Sequence, residues 1–296
     1  MNNHEVHAYW IASEGHEGQV GSSDALFPFW SFTKTVISAC ALKLVEDGSL
    51  DLNARLPGEP FSLRQLLAHT SGLADYGHFK EYHDAVEAGG PSWSRERVLK
   101  LGLSKGQLFR PGEGWSYSNI GYMFVRQLIE DATGMSLGEV IAELIAKPLG
   151  LTSIELSETR IQFSKLHWDS AKTYDPGWVY HGCLVGTAPD ASRLLRSLLS
   201  GEILSADTLD QMLSTRPLGG PIPERPWENV GYGLGIAVGK MKDVGTTIGH
   251  IGVGPFSVSA VYHYPDRVYP ITIACFTNGS TEGDVEFAAL ELVKGR

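Results

Sequence analysis

The chain has 296 residues, a formal charge of −10, 43% hydrophobic and 20% charged side chains. That length holds one large domain or two small ones sharing an interface, in an ordinary globular composition. The acidic balance and the lack of a Lys/Arg-rich run exclude nucleic acid as a partner and disfavour an anionic membrane, and no stretch approaches the roughly 18 apolar residues of a membrane span. Three cysteines, Cys40, Cys183 and Cys275, are too sparse for a disulfide framework and read as buried small hydrophobes. The segment MNNHEVHAYWIASEGHEG lacks a basic start followed by an apolar core, so the expected location is cytoplasmic.

In chain order, residues 5–12 read as a strand, followed by a polar loop and FPFW at 27–30. From Ser31 the pattern turns helical over about 31–47, with apolar residues at 37, 41, 44 and 45 on one face and Gly48 as the stop. Ser62 and Gln65 form a capping box, as do Ser136 and Glu139, whose helix Pro148 closes. Asn119 is expected to cap a helix over 120–132 that Gly134 ends, and Thr187 one over 188–200. RPGEGW at 110–115 is a loop, and PLGGPIPERPWEN at 217–229 is the candidate mobile loop. Beyond about residue 230, YGLGIAVG, GTTIGHIG, FSVSAVYHY and VYPITIACF read as four strands, and a last helix covers 284–294. The pattern predicts an α+β fold: an antiparallel sheet from both termini, flanked by helices, with a mostly helical part inserted. The expected division is 1–60 with 182–296 as one domain and 61–181 as the other.

Ser31 and Lys34 form S-x-x-K, one helical turn apart on one face. At a helix start, unpaired N–H groups and the dipole favour a developing negative charge on Ser31. Lys34 can take the hydroxyl proton if burial lowers its pKa. Alone the spacing is expected by chance at this Ser and Lys content. Tyr117-Ser118-Asn119 is the only Y-x-N. A tyrosine beside a cationic lysine can have its pKa lowered and shuttle protons, and Asn119 offers an acceptor and a donor for Lys34 and a substrate amide. Taken alone, that triplet is explained more simply by a helix cap with a packed tyrosine. His250-Ile251-Gly252 falls on a predicted strand, where Gly252 would let a substrate backbone approach and the Val253 N–H can pair with that of Ser31 as an oxyanion hole.

These elements together, with SLRQLLAHTSGL at 62–73, GWSYSNIGYMFVRQLIEDATGMSLGEVIAELIAKPLGL at 114–151, GCLVGTAPDASRLLRSLLSG at 182–201 and YGLGIAV at 232–238, make the chain resemble the serine β-lactamase and penicillin-binding-protein superfamily in its class C-like branch. That branch holds class C β-lactamases, D,D-carboxypeptidases, D-aminopeptidases and β-lactamase-fold esterases. The resemblance implies Ser31 as the acylated nucleophile, Lys34 and Tyr117 as shared base and acid, and Asn119 bonded to Lys34 and substrate. It implies His250 in the place of a lysine, the Ser31 and Val253 N–H groups as oxyanion hole, hydrolysis by water, and no metal or organic cofactor. His-Ile-Gly departs from the Lys-Thr-Gly of β-lactamases: Ile251 donates no hydrogen bond, and His250 is only partly charged near neutral pH. Both changes point away from substrates gripped by a carboxylate and toward a hydrolase of small esters or amides, with a D-amino-acid peptidase, a weak β-lactamase or a non-catalytic binding protein as alternatives. The region before Ser31 leaves little room for a strand pair. Trp30, Trp115, Trp178 and Tyr180 are candidates to line an apolar acyl pocket; the oligomeric state is not legible.

Two competing readings remain. Gly102-Leu-Ser104-Lys-Gly106 matches a nucleophile elbow, but a charged helical segment precedes it where a buried strand is required. The ten histidines include His4-x-x-His7, His78 and His83, without an H-E-x-x-H pattern.

Overall fold

The computed structural model describes residues 4–294. Among the described residues eleven strands form: β1 Val6–Ala12, β2 Glu17–Val20, β3 Phe27–Pro28, β4 Glu155–Ser157, β5 Cys183–Gly186, β6 Arg216–Gly219, β7 Trp227–Tyr232, β8 Ala237–Met241, β9 Gly245–Val253, β10 Val258–Tyr264 and β11 Ile271–Thr277. Eight of them make one antiparallel sheet in the order β2-β1-β11-β10-β9-β8-β7-β6, and β3, β5 and β4 make a second, small one. The N-terminal strand pairs with the last strand, Val6 opposite Thr277 through Ala12 opposite Ile271, so both termini build the sheet as expected.

Among the described residues ten α-helical segments complete the fold: α1 Thr33–Glu46, α2 Leu63–Leu67, α3 Lys80–Glu87, α4 Arg95–Leu103, α5 Asn119–Thr133, α6 Leu137–Ile141, α7 Arg160–Phe163, α8 Ala188–Leu199, α9 Ala206–Leu213 and α10 Glu282–Lys294. The period of two along the central strands divides their side chains between two cores. Tyr9, Ile11, Val261, Ala274 and Phe276 join α1, α5 and α8 on one face. Ala8, Trp10, Ala260, Tyr262, Ile273 and Cys275 join Val285, Ala289, Leu290 and Val293 of α10 on the other. Burial on both faces is why these strands read as continuous apolar runs. No helix among the described residues is long and apolar enough to cross a membrane.

Local sequence signals hold where chemistry is local. The Ser62/Gln65 and Ser136/Glu139 capping boxes form, Thr187 caps α8, and Gly134 ends α5 in the left-handed conformation. Four expectations change. Ser118, not Asn119, caps α5, its Oγ accepting from the Gly121 N–H. A strand pair does fit before Ser31, because β1 and β2 are joined by a short turn. Residues 217–229 are not one loop, since β6 and β7 occupy both ends. Finally, 232–239 is no single strand: β7 ends at Tyr232 and β8 begins at Ala237, and in the turn between them Gly235 has φ +79° and a Cβ would lie 2.0 Å from Ser38 Oγ.

The connection from β6 to β7 is tied down by a buried carboxylate. Glu286 of α10 accepts from Arg225 at 2.7 and 2.6 Å, from Trp227 Nε1 at 2.8 Å and from the Tyr262 hydroxyl at 2.7 Å. Glu286 is fully buried, so each donor left without it is costly to desolvate. Glu286→Ala is expected to lose about 3–5 kcal/mol of stability, read as a lowered urea midpoint.

Candidate active site

Ser31 sits in a single 3-10 turn, Trp30–Phe32, that enters α1. The turn is built by its surroundings. Trp30 holds φ at +48°, a conformation unusual for a bulky residue. Its indole Nε1 donates to Ser257 Oγ at 3.0 Å, and the Phe29 carbonyl accepts from Ser259 Oγ at 3.2 Å. Gly252 and Gly254 explain the close fit: a Cβ on Gly252 would lie 2.4 Å from the Phe29 carbonyl oxygen, and one on Gly254 would lie 2.1 Å from the Trp30 ring. The missing side chain of Gly252 therefore lets β9 approach the turn that carries Ser31.

That approach has a chemical consequence. The Gly254 N–H donates to the Ser257 carbonyl. Antiparallel alternation then turns the Val253 N–H away from β10. On that side β8 has already ended, with Ala237 opposite Gly249. The Val253 N–H thus lies on the free edge of β9, beside the turn that carries Ser31.

Helix α1 is buried on every side from Thr33 to Leu42, so its polar members are enclosed. Lys34 is fully buried, with Nζ 2.9 Å from Ser31 Oγ and 3.1 Å from His181 Nε2. Its Nζ also lies 4.9 Å from the centre of the Tyr117 ring. Burial pushes the Lys34 pKa down to about 7, against a partial upward pull from the Asp75 carboxyl. Tyr117 moves the opposite way from the sequence expectation. Burial raises its pKa, and a hydrogen bond with Ser31 only partly opposes this, so the phenol keeps its proton at neutral pH.

Asn119 is not bonded to Lys34 as expected. Its backbone N–H and Nδ2 donate to Asp75 at 2.9 and 3.0 Å, respectively. His250 also differs from its expected partly charged state. Its Nδ1 donates to the Ile251 carbonyl at 2.5 Å and its Nε2 accepts from the Tyr232 hydroxyl at 2.8 Å. Burial, aided by the charge of Lys34, lowers its pKa to about 3, so the ring is neutral. Asp75 and His181 are the residues missed by sequence reasoning. Neither stands in a motif, and they reach the site only through the fold.

Two hollows meet at Ser31. The larger, about 610 Å³, is lined by Trp115, Tyr117, Leu218, Ile222, Tyr232 and His250, among others. The smaller, about 280 Å³, is lined by Trp30, Tyr76, Tyr82, Tyr174 and Trp178. Ser31, Asn119 and Val253 border both. Of the expected aromatic lining, Trp115 faces the first hollow and Trp30 and Trp178 the second, while Tyr180 borders neither. The larger hollow has one cation, Arg225, and one carboxylate, Glu282; Arg225 is bound to Glu286 and lies 4.0 Å from Glu282.

The competing motifs do not assemble. Ser104 ends α4 and donates to the Leu101 carbonyl, with no strand before it. His78 ends a short turn, and His83 contacts the Gly77 carbonyl. Among the described residues one trio has metal-ligand spacing, Glu5, His7 and His167. There the Ser22 N–H occupies His7 Nδ1, so Nε2 carries the ring proton and points it at Glu5.

The beta-lactamase family model matches residues 2–294. The chain belongs to the beta-lactamase family. It is 26% identical to "Penicillin-binding protein 4*" of Bacillus subtilis (strain 168) over 91% of this chain, and spans 64% of that relative's length. It is 24% identical to "Lovastatin esterase" of Penicillium rubens, over 74% of this chain and 71% of the relative. Among solved structures, a D-stereospecific amidohydrolase from Streptomyces sp. superposes with a TM-score of 0.79 at 25% identity, covering 94% of this chain and 90% of that one.

The buried amine makes a thermodynamic prediction. The folded pKa of Lys34, about 7, lies below its ordinary value of 10.5. Between these values the unfolded chain binds more protons, so stability rises with pH and a penalty remains at neutrality. Lys34→Met, similar in volume and uncharged, is expected to raise Tm by a few degrees at neutral pH and to lessen this gain on going alkaline, as followed by thermal unfolding at several pH values.

Proposed function

We propose that this protein is a serine hydrolase that cleaves uncharged esters or amides through an acyl-enzyme on Ser31. The observation that carries the reading is the Lys34 amine 2.9 Å from Ser31 Oγ with its pKa lowered to about 7. An amine in that state is half neutral at neutral pH and can accept the serine proton.

In the proposed sequence Ser31 Oγ attacks the carbonyl as its proton passes to Lys34 Nζ. The carbonyl electron pair moves to oxygen, where the Ser31 and Val253 N–H groups receive it. Tyr117, still protonated and hydrogen-bonded to Ser31, gives a proton to the leaving group and regains one from the Lys34 ammonium. Water then attacks the acyl group by the reverse route. Asn119, bordering both hollows, faces the bound substrate. No step requires a metal or organic cofactor.

The substrate class follows from charge. His250 is neutral with both ring nitrogens engaged, Ile251 has no donor, and Arg225 is held by Glu286. A substrate carboxylate, as on a β-lactam or a D-Ala-D-Ala peptide, meets no unpaired lysine or arginine in either hollow. The esterase among the relatives supports the same choice. A D-amino acid amide is the second reading, favoured by the likeness to the D-stereospecific amidohydrolase. It requires a partner for the substrate ammonium, and the only carboxylate bordering the two hollows, Glu282, stands beside Arg225.

Ser31→Ala is expected to lower kcat/KM for a neutral p-nitrophenyl ester by at least ~10³-fold. For the native protein, protonation removes the base, so kcat/KM should rise about tenfold per pH unit below neutrality and level off above the Lys34 pKa of about 7. A neutral ester should be hydrolysed faster than nitrocefin, which carries a carboxylate; the reverse order would sink the uncharged-substrate assignment.

A further inference from the structure

We infer that His181 is the positioning residue for the Lys34 amine, holding Nζ in line with Ser31 while contributing no charge. This rests on the reading of Ser31 and Lys34 as nucleophile and base. His181 lies in the turn before β5, is 2% exposed, and places Nε2 3.1 Å from Lys34 Nζ. Asn119 donates to Asp75, and the side-chain polar atoms within hydrogen-bond distance of Nζ are Ser31 Oγ and His181 Nε2.

The chemistry of the ring fits this task. Nδ1 is buried with no hydrogen-bond partner. A doubly protonated ring would put a second buried cation beside Lys34, and burial together with the lysine charge holds the ring neutral. With Lys34 as ammonium, Nε2 must be the acceptor and Nδ1 carries the proton. A carboxylate in the same place would also hold Nζ, but would raise the lysine pKa and keep it charged. A neutral acceptor gives direction and leaves the base usable. As the Ser31 O–H bond breaks and a new N–H forms on Nζ, one ammonium N–H points to Nε2, which keeps another on the path between Ser31 and Tyr117.

The other titratable groups around Lys34 do not duplicate this role. Asp75 acts through its charge and pulls the lysine pKa up; Cys183 acts in the same direction more weakly. Tyr117 and Tyr122 present ring faces to Nζ. His69 and His250 feel its charge, which lowers both.

The test compares His181→Gln, which keeps an acceptor, with His181→Leu, which removes it, His181→Met serving if the leucine variant does not fold. The readout is the rate of Ser31 acylation by a fluorophosphonate probe as a function of pH, located by mass spectrometry, with Tm as the folding check. Leucine is expected to slow labelling about tenfold and to move the midpoint of the pH profile to lower pH, because the ammonium has lost an acceptor. Glutamine is expected to restore most of the rate and the midpoint. Equal rates in all three folded proteins, or equal losses with an unmoved midpoint, would overturn the positioning role and leave His181 as packing. Labelling of native protein at a residue other than Ser31 would instead overturn the nucleophile reading and, with it, this one.

Discussion

The site depends on one unfavourable act, the burial of an amine inside a helix. Lys34 lies in α1, which has no solvent face between Thr33 and Leu42. A charged ammonium there is costly, and the fold meets that cost by letting the group exist partly neutral. The same desolvation that weakens the protein at neutral pH leaves the amine partly neutral, as the proposed role of base requires. Asp75 limits the effect, its carboxyl pulling the lysine pKa up against the burial that lowers it. The central helix is thus both the mechanical core of the fold and the source of its chemistry.

A second constraint is where backbone meets backbone. β9 can lie against the Trp30 turn only because residues 252 and 254 have no side chain. That contact brings two chain segments far apart in sequence to the same serine, and supplies a strand-edge N–H beside a helix-entry N–H. The strained φ of Trp30 is held by Ser257 and by the missing side chain of Gly254, both from the far end of the β9–β10 hairpin. Preorganised donors of this kind need no rearrangement when charge develops.

Much of this was legible in the sequence, and the parts that were not have a common cause. Caps at Ser62, Ser136 and Thr187 follow from atoms three residues apart, so the local pattern contains the whole interaction. Ser31, Lys34 and Tyr117 converge as their motifs and family resemblance imply. Asn119 was misjudged because its partner Asp75 is 44 residues away, and His181 was missed because its partner is 147 residues away. The direction of the Tyr117 shift was misjudged for the same reason. Proximity to a lysine was readable, but the burial that dominates both groups was not. The segment 217–229 looked like a loop because Gly and Pro dominate it, whereas Trp227 and Arg225 are fixed by a carboxylate on the last helix.

The pattern of neutrality across the site is then coherent. Placing a cation where a carboxylate-binding enzyme needs one would put it near Lys34, and the added positive charge would depress the lysine further. His250 occupies that strand position, and its ring is held uncharged by burial and by the same lysine. Tyr232 and the Ile251 carbonyl then take both of its nitrogens, so neutrality costs no unsatisfied group. The remaining strong cation at the cleft, Arg225, is spent on structure, where it joins the roof of the larger hollow to α10. In the proposed reading, recognition of substrate is left to shape and apolar contact on two sides of Ser31, the larger hollow bordered by Leu218 and Ile222 and the smaller one by aromatic rings. An uncharged ester or amide suits both, since each apolar group it buries is favourable and no ionic group is stranded.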